Sequence, residues 1–197
     1  MLDVGCATGD FLWFLRTNYD NLNLFGVDVD NELLMRAKTE VPEAIFINAD
    51  IISDDFGDGY DFIFMNGVHS IFNAGEPFLW INPLIKAVKK SKKSKVYVFG
   101  LFNDENLDVN IQSRGSSAID DDWEVGWNIT SKKTVSDYCD SVGYKCTFHD
   151  FNIQIDISKN SDDPLRSWTI PTKKGCRIIV NGLQLVHTFS LMELSLR

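Results

Sequence analysis

The chain has 197 residues, 44% of them hydrophobic, with a formal net charge of -9 at pH 7 and an isoelectric point near 4.7. That is enough chain for one buried core, and no Pro- or Gly-rich linker divides it, so 1–197 reads as a single domain. The acidic balance leaves no broad positive field for a phosphate backbone, so nucleic acid is not favoured as a partner.

The first ten residues, Met1-Leu2-Asp3-Val4-Gly5-Cys6-Ala7-Thr8-Gly9-Asp10, read as a buried strand, an acid and a small-residue loop that opens into a helix. Gly5, Ala7 and Gly9 remove side chains that would hold a ligand away from the backbone, as a nucleotide-type cofactor requires. The apolar residues from Phe11 to Leu15 keep helical spacing, so the free N–H groups of a first turn face that ligand. A dinucleotide fingerprint needs small residues at 5, 7 and 10, and Asp10 fails that test.

A second strand, Leu22 to Asp28, ends in a carboxylate that can accept hydrogen bonds from both hydroxyls of a ribose. Asp30 or Asn31 is better placed than Asp28 to cap the helix Glu32 to Lys38. A third run, Ala44 to Ile51, ends in Asp50-Ile51, and a fourth, Tyr60 to His69, ends in Asn66-Gly67-Val68-His69. Then come a helix from Glu76 to Lys90, a strand from Lys95 to Gly100, a long polar stretch and a helix from Lys132 to Val142. Tyr144 to Ile157 alternates, and the tail from Ile178 to Leu196 holds two apolar runs around Asn181-Gly182. Alternating strands and helices predict a parallel sheet, and a closing strand pair without a helix predicts one antiparallel strand.

Asp3 on a strand followed by small residues at every second position, worded Leu-Asp-Val-Gly-Cys-x-x-Gly, resembles the first motif of the class I S-adenosylmethionine-dependent methyltransferases. The later strand ends follow in the order of that family over roughly the first two thirds of the chain. The resemblance implies an α/β, Rossmann-like fold with a mostly parallel, seven-stranded twisted sheet, its last strand antiparallel, and helices on both faces. It implies S-adenosyl-L-methionine as cofactor and S-adenosyl-L-homocysteine as product. The implied cofactor-binding residues are Asp3, Gly5, Cys6, Ala7, Gly9 and Phe11, then Asp28 and Val29, Asp50 and Ile51 at the adenine, and Asn66 and Gly67 beside the sulfonium methyl. Relatives usually carry helices before the first strand, so a truncated N-terminus is expected here.

A sulfonium is already activated, so the protein must align the acceptor and, for a hydroxyl, remove a proton. His69 is the histidine that the motif places near the methyl, and the expectation is a general base, with a packed core residue as the plainer reading. His149 shares strand parity with Phe151, Ile153 and Ile155, and His187 with Leu185, Phe189 and Leu191, so both are expected in the core or in strand pairing. The unpatterned stretch 103–128 follows the fifth strand and is the expected substrate-side loop, with Arg114, Trp123 and Trp127 as candidate substrate contacts and Arg166 as a further clamp. Its triplet Asp120-Asp121-Asp122 is expected to be a solvated turn, because three adjacent carboxylates cannot all face one ion.

Lys89, Lys90, Lys92 and Lys93 are expected to form a solvated helix end that complements the helix dipole. Cys6, Cys139, Cys146 and Cys176 show neither C-x-x-C spacing nor a partnering His cluster, which predicts free thiols and no metal. With no transmembrane run and no signal peptide, the expected location is cytoplasmic. The expected function is methyl transfer to a small-molecule acceptor, an O-methylation of a sugar or other hydroxyl-bearing metabolite, with a homodimer as a possible assembly. The alternatives are a protein or tRNA methyltransferase and a catalytically silent methyltransferase-like binding subunit.

Overall fold

Short apolar runs ended by a carboxylate or an amide suit central parallel strands, whose bodies are buried while the polar last residue reaches the edge of the sheet. In the computed structural model, which describes residues 1–88, 94–115, 122–150, 154–162, 166–172, 175, 177–180, 186–187 and 189–196, three such runs are β2 (Phe25–Asp28), β3 (Ile45–Asn48) and β4 (Phe62–Asn66), and they flank β1 (Leu2–Val4), whose carboxylate Asp3 lies mid-strand. Between them run α1 (Asp10–Asn18) and α2 (Asn31–Glu40). Asp30 caps α2 as its position in the sequence predicts, its carboxylate accepting the N–H groups of Glu32 and Leu33.

The chain continues through α3 (Phe78–Val88), β5 (Lys95–Asn103), the antiparallel pair β6 (Gln112–Ser113) and β7 (Glu124–Val125), β8 (Thr130–Ser131) and α4 (Lys132–Ser141). It then forms β9 (Tyr144–Asp150), β10 (Trp168–Pro171), β11 (Arg177–Val180), β12 (Val186–His187) and β13 (Phe189–Leu196). The main sheet has the order β3-β2-β1-β4-β5-β13-β9, with the short β8 added alongside β5. Strands β1 to β5 pair in parallel, and β13 lies antiparallel between β5 and β9. The expected seven-stranded order with an antiparallel closing strand is therefore present.

The tail differs from the expected closing pair. Strand β11 leaves the main sheet and pairs with β10 and β12 in a separate three-stranded antiparallel sheet, and only β13 enters the main one. Asn181 and Gly182 lie outside the described residues, as do Cys176, Lys89, Lys90, Lys92, Lys93, Asp120 and Asp121. Tyr144, Cys146 and Phe148 of β9 face inward, so His149 points outward, where Nε2 lies 3.5 Å from Glu193 Oε2. Of the two expected places, the core or strand pairing, His149 takes the second, opposite Leu191 in the β9–β13 ladder, because the alternation is counted from Tyr144, which carries the apolar face. The side chain of His187 lies outside the described set.

The principal core packs Val4, Ile63, Met65, Val96 and Val98 of the sheet against Trp80, Ile81 and Leu84 of α3 and Val135 and Cys139 of α4. A second cluster joins Leu12 and Leu15 of α1 to Leu34 of α2, with Cys6, Leu24 and Val41. An apolar recess of about 380 Å³ lies between α1 and the sheet, walled by Phe11, Phe14, Tyr19, Phe62, Phe64 and Tyr97. No helix among the described residues is long and apolar enough to cross a membrane. Cys6, Cys139 and Cys146 are free thiols.

Candidate functional site

Parallel strands end on one edge, so their last residues and the loops that follow converge there. The loop after β1 turns through left-handed backbone at Gly5 (φ 72°), Ala7 (φ 44°) and Gly9 (φ 81°). A Cβ on Gly5 would stand 2.2 Å from Val68 Cγ2, so only glycine lets Val68 pack over the loop. Ala7 holds its less favourable conformation by donating its N–H to Asp28 Oδ2 at 2.9 Å, while Asp28 Oδ1 accepts from Asp30 N at 3.0 Å. Asp28 thereby braces the loop against β2. Each of its oxygens keeps a further lone pair for a ligand.

Beside this loop opens a cleft of about 510 Å³, lined by Val4, Gly5, Val27, Asp28, Val29, Ala49, Asp50, Ile51, Asn66, Gly67, Val68, Ile71 and Phe72. Of the residues predicted for a cofactor, it brings together Gly5, Asp28, Val29, Asp50, Ile51, Asn66 and Gly67. Asp3 lies behind Asn66, 3% exposed, accepting from Asn66 Nδ2 at 3.3 Å. Burial pushes its carboxyl up to about 7, against the opposing pull of the Asn66 hydrogen bond. Cys6 is turned into the core beside Gly26, where burial pushes its thiol up to about 12, and Ala7 and Gly9 contribute backbone to the loop. Phe11 is a correction. Its ring packs edge-on against Phe64, centroids 5.0 Å apart, and walls the recess beside α1 instead of the cleft.

The cleft carries two carboxylates at its surface, Asp28 and Asp50, and among the described residues its lining includes no Lys, Arg or His. Such a field favours a cationic ligand and opposes a phosphate. Val68, Ile71 and Phe72 were not among the predicted contacts. They arrive through a 3-10 turn, Val68–Ile71, set off by the positive φ of Gly67.

That same turn also sets the position of His69. It rotates the ring inward, leaving it 1% exposed, stacked on Phe102 at 4.6 Å between centroids and edge-on to Trp80 at 5.6 Å. Nε2 donates to the Leu101 carbonyl at 3.2 Å, and burial pushes the imidazole down to about 4. Nδ1 and Trp80 Nε1 make no hydrogen bond among the described residues. A Cβ on Gly100 would come within 2.1 Å of His69 Cε1, so the ring fills the space that the glycine leaves. An imidazole enclosed in this way has no open edge toward an acceptor. In this structure His69 sits as a packed core residue, the plainer of its two expected readings.

A smaller cavity of about 130 Å³ meets the cleft at Gly67 and is lined by Gly67, Ser70, Gly100, Leu101, Trp127, Ser167 and Phe189. A Cβ on Gly67 would meet nothing within 4 Å, so open space lies over this residue, which both cavities share. Trp127 comes from the predicted substrate-side loop, and the loop is tied down by Asn128, which is 2% exposed. Its backbone N–H donates to Ser70 O at 2.7 Å, its Nδ2 donates to Phe72 O at 2.7 Å, and its Oδ1 accepts from Ile111 N at 2.8 Å. Asn110 adds an acceptor for Ala74 N at 2.8 Å.

The other loop candidates fall outside this cavity's lining. The Arg114 guanidinium lies 5.0 Å over the ring of Trp123, which is 58% exposed, and Arg166 is exposed beside Ser167. Asp122 is exposed. Among the described residues, no cluster of His, Cys, Asp and Glu is arranged to hold a metal.

The comparisons with known proteins agree with this geometry. Residues 2–90 match the family model described as a methyltransferase domain. No curated protein matches the sequence. Among solved structures, the DhpI-SAH complex has a TM-score of 0.61 at 12% identity, the match covering 99% of this chain and 75% of that one. An S-adenosylmethionine-dependent methyltransferase from Clostridium acetobutylicum has a TM-score of 0.60 at 10% identity, covering 99% and 82%. The mitomycin 7-O-methyltransferase MmcR has a TM-score of 0.61 at 12% identity, covering 100% of this chain and 48% of that one. These likenesses identify the fold as that of the class I methyltransferases.

Proposed function

From a chain that carries a methyltransferase domain over residues 2–90 on the class I methyltransferase fold, we infer an S-adenosylmethionine-dependent methyltransferase that acts on a small-molecule acceptor through oxygen. The observation that carries this reading is the cleft itself: about 510 Å³, reached by a glycine-turned backbone loop, bordered by Asp28 and Asp50, and lined, among the described residues, by no cationic side chain. A nucleoside bearing a sulfonium and an ammonium is drawn to that field, and a pyrophosphate is repelled by it. The volume falls within the range of small-molecule and cofactor sites.

Each residue then has a part. Asp28 accepts ribose hydroxyls with the lone pairs left after bracing Ala7 and Asp30. Val29 and Ile51 supply apolar surface for a flat base beside Asp50. Asn66 and Gly67 border the reacting end, where the two cavities meet. The bound cofactor supplies an electrophilic methyl on a positively charged sulfur. What remains for the chain is to hold an acceptor oxygen in line and to keep water away, which alignment in a closed site accomplishes. A cavity of about 130 Å³ and a net charge of -9 favour a small acceptor over a nucleic acid or a protein segment.

Calorimetric titration of S-adenosylmethionine and S-adenosylhomocysteine into the purified chain tests the reading, with Asp28→Ala as control. Saturable binding weakened in the variant is the expected outcome. Absence of binding to the wild type would sink it.

A further inference from the structure

We propose, resting on the methyl-transfer reading above, that the smaller cavity takes a planar, single-ring hydroxy-aromatic acceptor, with Trp127 and Phe189 as the residues that select it. Size comes first. An apolar protein cavity of about 150 Å³ binds benzene, and this one measures about 130 Å³. One ring fits.

The lining decides which ring. Trp127, Phe189 and Leu101 present apolar faces, and the polar side chains are two hydroxyls, Ser70 and Ser167. Phe189 is itself stacked on Phe99, centroids 5.0 Å apart and planes 7° apart, so it forms a fixed flat wall. Trp127 is held by the three hydrogen bonds of its neighbour Asn128. Two aromatic side chains at a narrow cavity favour a planar partner by offset or edge stacking. A sugar carries hydroxyls around its whole ring, and most of them would be buried without a partner.

The chemistry points the same way. Ser70 is buried and donates a hydrogen bond to the Gly67 carbonyl at 2.7 Å, so its oxygen retains lone pairs that can accept a hydrogen bond from the acceptor's hydroxyl. Ser70 sits beside Gly67, at the junction with the cofactor cleft, so that hydroxyl is turned toward the methyl. Among the described residues, the lining contains no imidazole, amine or carboxylate to take the proton away. A phenol ionises near pH 10, as tyrosine does, and lower with an electron-withdrawing substituent, so its proton passes to solvent without a protein base. The phenolate oxygen then forms a bond to the methyl carbon. The carbon–sulfur bond breaks with its electron pair on sulfur, leaving a neutral thioether and an aryl methyl ether.

The test is calorimetric titration of 4-nitrophenol and of glucose into the full chain, with and without S-adenosylhomocysteine, followed by transfer of tritiated methyl from S-adenosylmethionine to each. 4-Nitrophenol should bind saturably and accept methyl, and glucose should do neither. Trp127 is 37% exposed but gives the cavity one of its two aromatic walls, and Trp127→Ala should weaken 4-nitrophenol binding by about tenfold. Trp127→Phe should stay within about threefold, since it keeps the flat apolar face. Unchanged S-adenosylhomocysteine affinity in both variants shows that they are folded. Preference for glucose, or 4-nitrophenol affinity indifferent to Trp127→Ala, overturns the proposal. If S-adenosylhomocysteine does not bind while 4-nitrophenol binding still depends on Trp127, the methyl-transfer reading falls and the specificity of the cavity stands.

Discussion

The two cavities that meet at Gly67 are assembled in opposite ways. The larger is made of neighbouring strand ends and their loops, Val4 and Gly5 after β1, Asp28 and Val29 after β2, Asp50 and Ile51 after β3, Asn66 and Gly67 after β4, so adjacent elements of one parallel sheet complete it. The smaller draws Ser70 from a turn, Leu101 from β5, Trp127 from the 103–128 stretch, Ser167 from the approach to β10 and Phe189 from β13. In one, backbone and carboxylates set the chemistry. In the other, side chains from distant parts of the chain do, and they can be exchanged without touching the strands that hold the cofactor side.

If the two are this separate, substitutions should divide into two sets. The largest effect is expected at Asp3, whose carboxyl is held near 7 when folded against 3.8 as its ordinary value. Over that interval the folded chain keeps a proton that the unfolded chain has lost, so this group's stabilisation is present at low pH and lost as pH rises toward 7. The full swing is on the order of 4 kcal/mol, from about three pK units at about 1.4 kcal/mol each. His69 works in reverse, since its imidazole is lowered from 6.5 to about 4, and its share is present above 6.5 and lost as pH falls toward 4. Urea midpoints measured from pH 4 to pH 8 should show Asp3→Asn gaining on the wild type as pH rises. A constant difference would mean that Asp3 is not protonated in the native state.

Asp28→Ala should weaken S-adenosylhomocysteine by about 1.5–3 kcal/mol, the worth of hydrogen bonds to a charged group, while 4-nitrophenol affinity holds. Asn128→Ala should do the converse, because it frees the segment bearing Trp127 and leaves the strand ends intact. Its stability cost should be about 1–3 kcal/mol, with the acceptor KM raised by more than S-adenosylhomocysteine affinity is lowered, since Asn128 Nδ2 also holds Phe72 of the larger cleft. Equal loss of both affinities in either variant would break the division. The smallest change is expected from His69→Phe, which keeps a flat ring in the core: turnover on an identified acceptor should stay within a few-fold. A general base would cost about 10²–10⁴-fold.

The same contrast governs what the sequence discloses. A parallel strand buried on both faces is written as a short apolar run, and its exposed end as a polar residue, so Asp28, Asp50 and Asn66 can be found by local pattern. Asp3, buried in mid-strand, and the loop from Gly5 to Gly9 were legible for another reason, the small residues at every second position after Asp3. Phe11 was misplaced because helical spacing names an apolar face without saying which cavity it borders. His69 was misplaced because proximity in sequence to Gly67 says nothing of the 3-10 turn that rotates its ring into the core. Asn128 and Ser167 carry no periodic signal, since a lone polar residue in a loop looks the same whether it faces water or holds three segments together. Phe189 lies on the antiparallel strand that the tail predicted, but its partners across the cavity come from segments far away in the chain.

The placement of β13 between β5 and β9 sets an order of events for a chain emerging from the ribosome. Strand β9 is synthesised well before β13, yet β13 is its hydrogen-bonded neighbour in the main sheet, with seven residues in register from Ser190–Asp150 to Leu196–Tyr144. Until β13 has been translated, β5 shows an open edge over residues 96–101 and β9 has no seat in the sheet. The strands of the cofactor cleft can pair while the chain is still nascent. The wall that Phe189 gives the smaller cavity closes only when translation has passed β13, so the larger cleft can be complete before the smaller one is.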